Sequence, residues 1–242
     1  MSRKKKKNIF EKFPKSVKLI LVFAVIAALL ISGRGILDSS SAVISLDDVP
    51  AFNGKDPYVK INGGVPFFED TYKRDETYES YSPLDSYGRC GVVMACLGKE
   101  TMPREDEERG KISGVKPSGW QTVEYDVVSG KYLYNRSHLI GWQLSAENAN
   151  ERNLITGTRY FNVEGMLPFE NMVADYINET QNHVLYRVTP IYKSNELVAR
   201  GVLIEAMSVE DGGTGLCFCV YVYNVQPGIE INYLDGSSRL SN

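Results

Sequence analysis

Histidine is nearly absent from this 242-residue chain, with His138 and His183 the only two. Chemistry that needs a neutral imidazole at physiological pH therefore has two addresses. Cysteine is scarce as well. The four cysteines form no CxxC pair and have no neighbouring histidine, which argues against a structural zinc site. Cys217 and Cys219 alternate in the strand-like LCFCVYVY, so they share a face and are poorly placed to bond each other. A Cys90–Cys96 loop, or one bridge from that loop to the strand, stays open. No internal repeat is present, and no low-complexity tract beyond one lysine run. An excess of positive charge is confined to the N-terminus: nine of the 27 Lys and Arg residues lie in residues 1–35 beside a single acid, Glu11. That leaves 18 basic and 29 acidic residues, a net charge of −11, for residues 36–242. A composition of 43% hydrophobic and 24% charged residues nevertheless excludes general disorder.

What is present begins with the basic N-terminus and the charge-free run LILVFAVIAALLI, Leu19 to Ile31. A basic segment followed by an apolar one has the form of a secretory signal or signal-anchor. The lysines would remain in the cytoplasm and the rest would be exported. Ser32-Gly33-Arg34-Gly35 offers no clear cleavage site and Ser39 to Ala42 only a weaker one, so a retained single-pass anchor is preferred to a secreted form. Three segments follow: residues 1–35 as basic N-terminus and transmembrane anchor, 36–55 as a spacer that joins the domain through Val43 to Leu46, and 56–242 as one domain.

Within that domain, residues 56–88 read as extended segments and loops, and Val92 to Leu97 as a short buried strand or helix start. Gly98 to Trp120 is charged, holds two prolines and predicts a surface loop. Gln121 to Val128, a Ser129-Gly130 turn and Lys131 to Asn135 predict a hairpin. The polar run Ser145 to Asn162 reads as loop. A helix is predicted over Phe169 to Glu179, with Pro168 at its first position and Phe169, Val173, Tyr176 and Ile177 facing the core. Strands at Val184–Tyr192, Leu197–Ser208 and Leu216–Val225 close an α+β domain with a mainly antiparallel sheet and one central helix.

Between Arg136 and Glu170 the chain is dense in Asn, Arg, His and Glu. It reads Asn135-Arg136-Ser137-His138, then Asn153, Asn162 nine residues later, and Glu170 eight after that. This order, over about residues 116–225, resembles the DNA/RNA non-specific endonuclease family of the ββα-metal (His-Me finger) fold, which includes membrane-anchored bacterial DNA-entry nucleases. The family's hallmark is D-R-G-H followed by Asn, Asn and Glu at these spacings, so Asn135 and Ser137 are departures. The resemblance implies a Mg²⁺-dependent endonuclease (Mn²⁺ as substitute) that cuts DNA and RNA to 5′-phosphate ends. It assigns His138 as general base, Asn162 as metal ligand, Asn153 as an orienting residue and Glu170 as holding water around the ion. Arg136, two strand positions from His138, and Arg159 would contact phosphate.

These types suit the reaction. A phosphodiester repels hydroxide, so cleavage needs charge neutralisation, a nucleophile and leaving-group stabilisation. Taken singly, each residue has a blander role: Asn162 as a helix cap, Glu170 as a dipole partner, both arginines as surface ion pairs. His183 reads as an exposed residue after the helix, and Trp120 and Trp142 as core packing. Two rival functions remain in view, a non-catalytic surface-tethered nucleic-acid receptor feeding DNA-uptake machinery and a generic cell-surface interaction domain. The −11 body opposes DNA binding, while Lys99, Arg104, Arg109, Lys111, Lys116, Lys131, Arg136, Arg152 and Arg159 concentrate positive charge near the site.

Overall fold

The computed structural model describes residues 44–69, 72 and 76–241. The basic run, the Leu19–Ile31 stretch and Val43 lie outside the described residues. Among the described residues no helix is long and apolar enough to cross a membrane.

In chain order the strands are β1 (Tyr58–Lys60), β2 (Tyr78–Tyr81), β3 (Val93–Leu97), β4 (Tyr134–His138), β5 (Leu154–Thr158), β6 (Val184–Ile191), β7 (Gly201–Ser208), β8 (Cys217–Tyr223), β9 (Ile229–Ile231) and β10 (Ser238–Leu240). Six of them form an antiparallel sheet in the order β1-β8-β7-β6-β3-β2. The predicted strands of the C-terminal third thus supply its centre, and the short stretches upstream supply its edges. Alternation along β8 sends Phe218, Val220 and Val222 to one face and Cys219, Tyr221 and Tyr223 to the other. Among the described residues none of the four cysteines forms a disulfide.

The first face is covered by helix α2 (Leu167–Thr180). Pro168 sits in its first turn, and Phe169, Val173, Tyr176 and Ile177 are buried, as the periodicity predicts. Each fully buried side chain of this kind contributes about 1.5–3 kcal/mol. Helical backbone starts earlier than expected, because Phe161–Met166 forms a π-turn leading into α2. The second face is covered by the segment before β1. Ile44 is buried there, Leu46, Val49 and Phe52 pack beside it, and the Tyr223 hydroxyl donates to the Pro50 carbonyl at 2.7 Å. Packing of the supposed spacer therefore extends past Leu46. Under the same face a bidentate pair joins Arg187 of β6 to Glu205 opposite it on β7, at 2.6 and 2.8 Å.

The predicted Gln121–Asn135 hairpin is corrected. It shrinks to a single bridge between Glu124 and Tyr132, and β4 pairs instead with β5, Arg136 opposite Thr156 and His138 opposite Leu154. β5 lies inside the stretch read as loop. Its five residues, LITGT, are all buried, so they show no in–out alternation, and the asparagines before them mimic a loop. A short helix α1 (Trp142–Ser145) lies in the long connection from β4 to β5. Hairpin, π-turn and α2 then follow one another as a ββα module packed on the sheet.

Candidate active site

His138 ends β4 and is buried. Its Nε2 lies 2.8 Å from the Asn148 carbonyl, an acceptor, so Nε2 carries the proton and Nδ1 keeps the lone pair. Nδ1 faces the Arg109 guanidinium at 3.2 Å. Burial lowers the His138 pKa to about 4; the Asn148 carbonyl opposes this and the nearby Arg109 charge adds to it. The ring is therefore neutral at pH 7, the state a base requires.

Asn153 is fully buried, and its amide clamps the chain just after the histidine. Its Oδ1 accepts from Ile140 N at 2.8 Å and its Nδ2 donates to Ile140 O at 2.9 Å. It is the one predicted site residue that does not line the cleft.

His138, Arg136, Arg159, Asn162 and Glu170 line a single cleft of about 880 Å³. Asn162 projects from the π-turn, inside helical backbone and not at a cap, and its amide has no hydrogen-bond partner among the described residues. Glu170, in the first turn of α2, has its pKa raised to about 7 by burial, against the opposing influence of Arg109 and of a hydrogen bond from Gln143. Its carboxylate lies against the backbone at Gly141, where a Cβ would stand 2.5 Å from Oε2. Arg136 borders the cleft with a committed guanidinium. It donates to the Val115 carbonyl at 2.5 Å and the Ser113 carbonyl at 3.0 Å, and stacks 4.0 Å from the Trp120 ring centroid. Trp120 packs, half-buried, against the cluster of Val128, Leu133, Tyr134 and Ile229 and also lines the cleft, while Trp142, expected in the core, is a half-buried cleft residue.

The two motif departures have local accommodations. Ser137 Oγ is buried without a partner beside Gly157, and any Cβ at 157 would collide with it. Asn135 also lines the cleft, with its Nδ2 buried and unpartnered. Sequence reasoning missed Asn148 altogether and left Arg109 unassigned within a basic cluster.

The charged residues lining the cleft are Arg109, Arg136, Arg159 and Glu170, so it is locally positive within an acidic body. Among the described residues no three His, Cys, Asp or Glu side chains converge as a metal cage. One free amide and one carboxylate beside an open cleft do suit a hard, largely hydrated cation that takes further oxygens from a substrate. His183 has no place here. It bridges Glu210 at 2.5 Å and Glu100 at 3.2 Å outside the cleft, and its pKa is raised, chiefly by the Glu210 hydrogen bond. A second cavity of about 600 Å³, on the back of the sheet, holds no histidine.

Residues 69–210 match the family described as DNA/RNA non-specific endonuclease. A deoxyribonuclease from Streptococcus dysgalactiae subsp. equisimilis is 29% identical over 196 residues, covering 64% of this chain and 59% of that protein. The chain thus spans about three-fifths of the length of that relative. Among solved structures, Sda1 nuclease with bound zinc superposes with a TM-score of 0.65 at 28% identity, covering 77% of this chain and 97% of that one. NucA from Streptococcus agalactiae with magnesium bound gives 0.65 at 23% identity over 75% of this chain and 86% of that one, a likeness of fold alone.

Proposed function

Because the chain belongs to the DNA/RNA non-specific endonuclease family, we propose that it is a metal-dependent endonuclease that hydrolyses DNA, and RNA by the same chemistry, to 5′-phosphate ends. The observation that carries this is the state of His138: neutral, with its proton on Nε2 held by the Asn148 carbonyl and its Nδ1 lone pair directed into a positively charged cleft. Water in line with the scissile P–O3′ bond gives its proton to Nδ1 as its oxygen bonds to phosphorus. The P–O3′ bond then breaks, the 3′ oxygen leaves with the electron pair and takes a proton from solvent water, and the phosphate stays on the 5′ side. Asn162 Oδ1 would hold a divalent cation, Mg²⁺ with Mn²⁺ as substitute, and Glu170 would hold water around it. When bound, that cation supplies neutralisation of phosphate charge and stabilisation of the departing oxygen. Arg109 and Arg159 hold the phosphate, and the Asn153 clamp keeps the turn after His138 fixed.

Plasmid nicking by the purified chain, with and without EDTA, tests this. Wild type should cut in Mg²⁺ and stop in EDTA, and His138→Ala should lose at least about a hundredfold, the usual contribution of a general base. Equal background rates for both proteins in Mg²⁺ would sink the proposal, and DNA retention without cutting would favour a receptor. The N-terminal lysines and the Leu19–Ile31 run support an anchored, extracytoplasmic domain. Protease digestion of intact cells should then remove the domain while leaving cytoplasmic proteins whole.

A further inference from the structure

Both nitrogens of the His138 ring are engaged, and this is a difficulty for a base. Nε2 donates to the Asn148 carbonyl at 2.8 Å, so Nδ1 is the only acceptor left. The Arg109 guanidinium occupies it at 3.2 Å. A lone pair that already accepts a hydrogen bond is not free to take a proton from water. We propose that Arg109 is a displaceable cap on His138, held in place by the Asn148 side chain and drawn off when a substrate phosphate enters the cleft. This rests on the nuclease reading of the site.

Asn148 governs both sides of the imidazole. Its main-chain carbonyl fixes Nε2, while its side-chain amide, oriented to satisfy both groups, grips the backbone of Gly110, the residue after Arg109. Oδ1 accepts from Gly110 N at 2.5 Å and Nδ2 donates to Gly110 O at 3.2 Å. A Cβ at position 110 would run into that amide and push it off the Gly110 backbone. Arg109 is otherwise exposed, and among the described residues it has no carboxylate within ion-pair distance. Its bond to a neutral imidazole is the weaker kind, whereas guanidinium to phosphate is charge-assisted and often bidentate. Exchange of imidazole for phosphate therefore runs downhill, and it uncovers the base only when there is something to cut. Asn148 is thus a positioning residue that acts through Gly110 and Arg109.

Carbethoxylation of the full-length protein by diethyl pyrocarbonate, in EDTA without nucleic acid, reads the cap directly. An unprotonated ring nitrogen, here Nδ1, attacks a carbonyl of the reagent and expels ethyl carbonate, and peptide mass spectrometry resolves His138 from His183. Wild-type His138 should react slowly. Arg109→Ala and Asn148→Ala should each react several-fold faster, the latter with the carbonyl on Nε2 retained. Excess inorganic phosphate should accelerate wild type and leave Arg109→Ala unchanged, a response that a merely structural role for either residue would not give. Equal rates in all three proteins, or phosphate slowing wild type, would overturn the cap. Plasmid nicking is scored separately: shifted rates without nicking discard the nuclease reading, and nicking with unshifted rates discards the cap.

Discussion

Burial strips water from the His138 ring faster than the Asn148 carbonyl can compensate, which is why its pKa falls from 6.5 to about 4. A group whose folded pKa is depressed binds protons mainly in the unfolded chain. Its contribution to stability is full above pH 6.5 and is lost as pH falls through 4. The shift corresponds to about 3 kcal/mol across that window. Urea unfolding of the metal-free protein should show this loss between pH 6.5 and 4, and His138→Ala should flatten it; an unchanged slope in the variant would mean the ring is solvated. Glu170 has the opposite sign. Its pKa is raised to about 7, so the carboxyl favours the fold below its unfolded value of 4.5 and this is lost as pH rises through 7. Glu170→Gln should therefore remove part of the loss of stability of the metal-free protein between pH 4.5 and 7 while weakening Mg²⁺ binding, both measurable by thermal melts with and without the ion. A variant that melts with the wild-type pH dependence would mean the carboxyl is exposed to water.

The hairpin and the turn after it show what an element must do to hold one imidazole. Asn153 donates to the carbonyl and accepts from the N–H of the same residue, Ile140, so truncation would orphan two buried backbone groups. Asn153→Ala should cost about 2–3 kcal/mol by urea denaturation and should slow cleavage beyond what the lost folded fraction explains. If activity per folded molecule stayed at the wild-type level, the clamp would be structural only. This element also marks the limit of what the sequence showed. Helix α2 and β6 to β8 were legible because their apolar residues recur at 3.6 or 2, whereas β5 was buried throughout, carried a glycine and had no period. β4 was recognised as extended but matched to the wrong partner, because strand pairing is a non-local choice that local pattern does not encode. The spacing of His138, Asn153, Asn162 and Glu170 was legible because one contiguous ββα module carries all four. Arg109 was not, because its contact with His138 spans 29 residues and rests on an irregular loop.

At the scale of the whole molecule the problem is charge, since a body at −11 must admit a polyanion. The fold answers it by segregation, with three arginines and one raised-pKa glutamate lining the cleft. Phosphate neutralisation is then confined to few side chains, and the salt dependence of binding should be shallow, each phosphate contact contributing a slope of about −0.9 in log K against log salt. The arginines should not be equivalent. Arg159 lines the cleft near the start of the helical segment and makes no ion pair among the described residues, so Arg159→Ala should reduce the slope by about one. Arg136 is already spent on the Ser113 and Val115 carbonyls and on the face of Trp120. Arg136→Ala should leave the slope nearly intact and lower the melting temperature, because it removes two hydrogen bonds to the Ser113 and Val115 carbonyls and the stacking on Trp120. Binding isotherms of a short duplex in Ca²⁺ across a salt series separate the two cases. A full unit lost with Arg136→Ala, and none with Arg159→Ala, would mean that substrate pulls Arg136 off its carbonyls, and the division of labour drawn from the free protein would then be reversed.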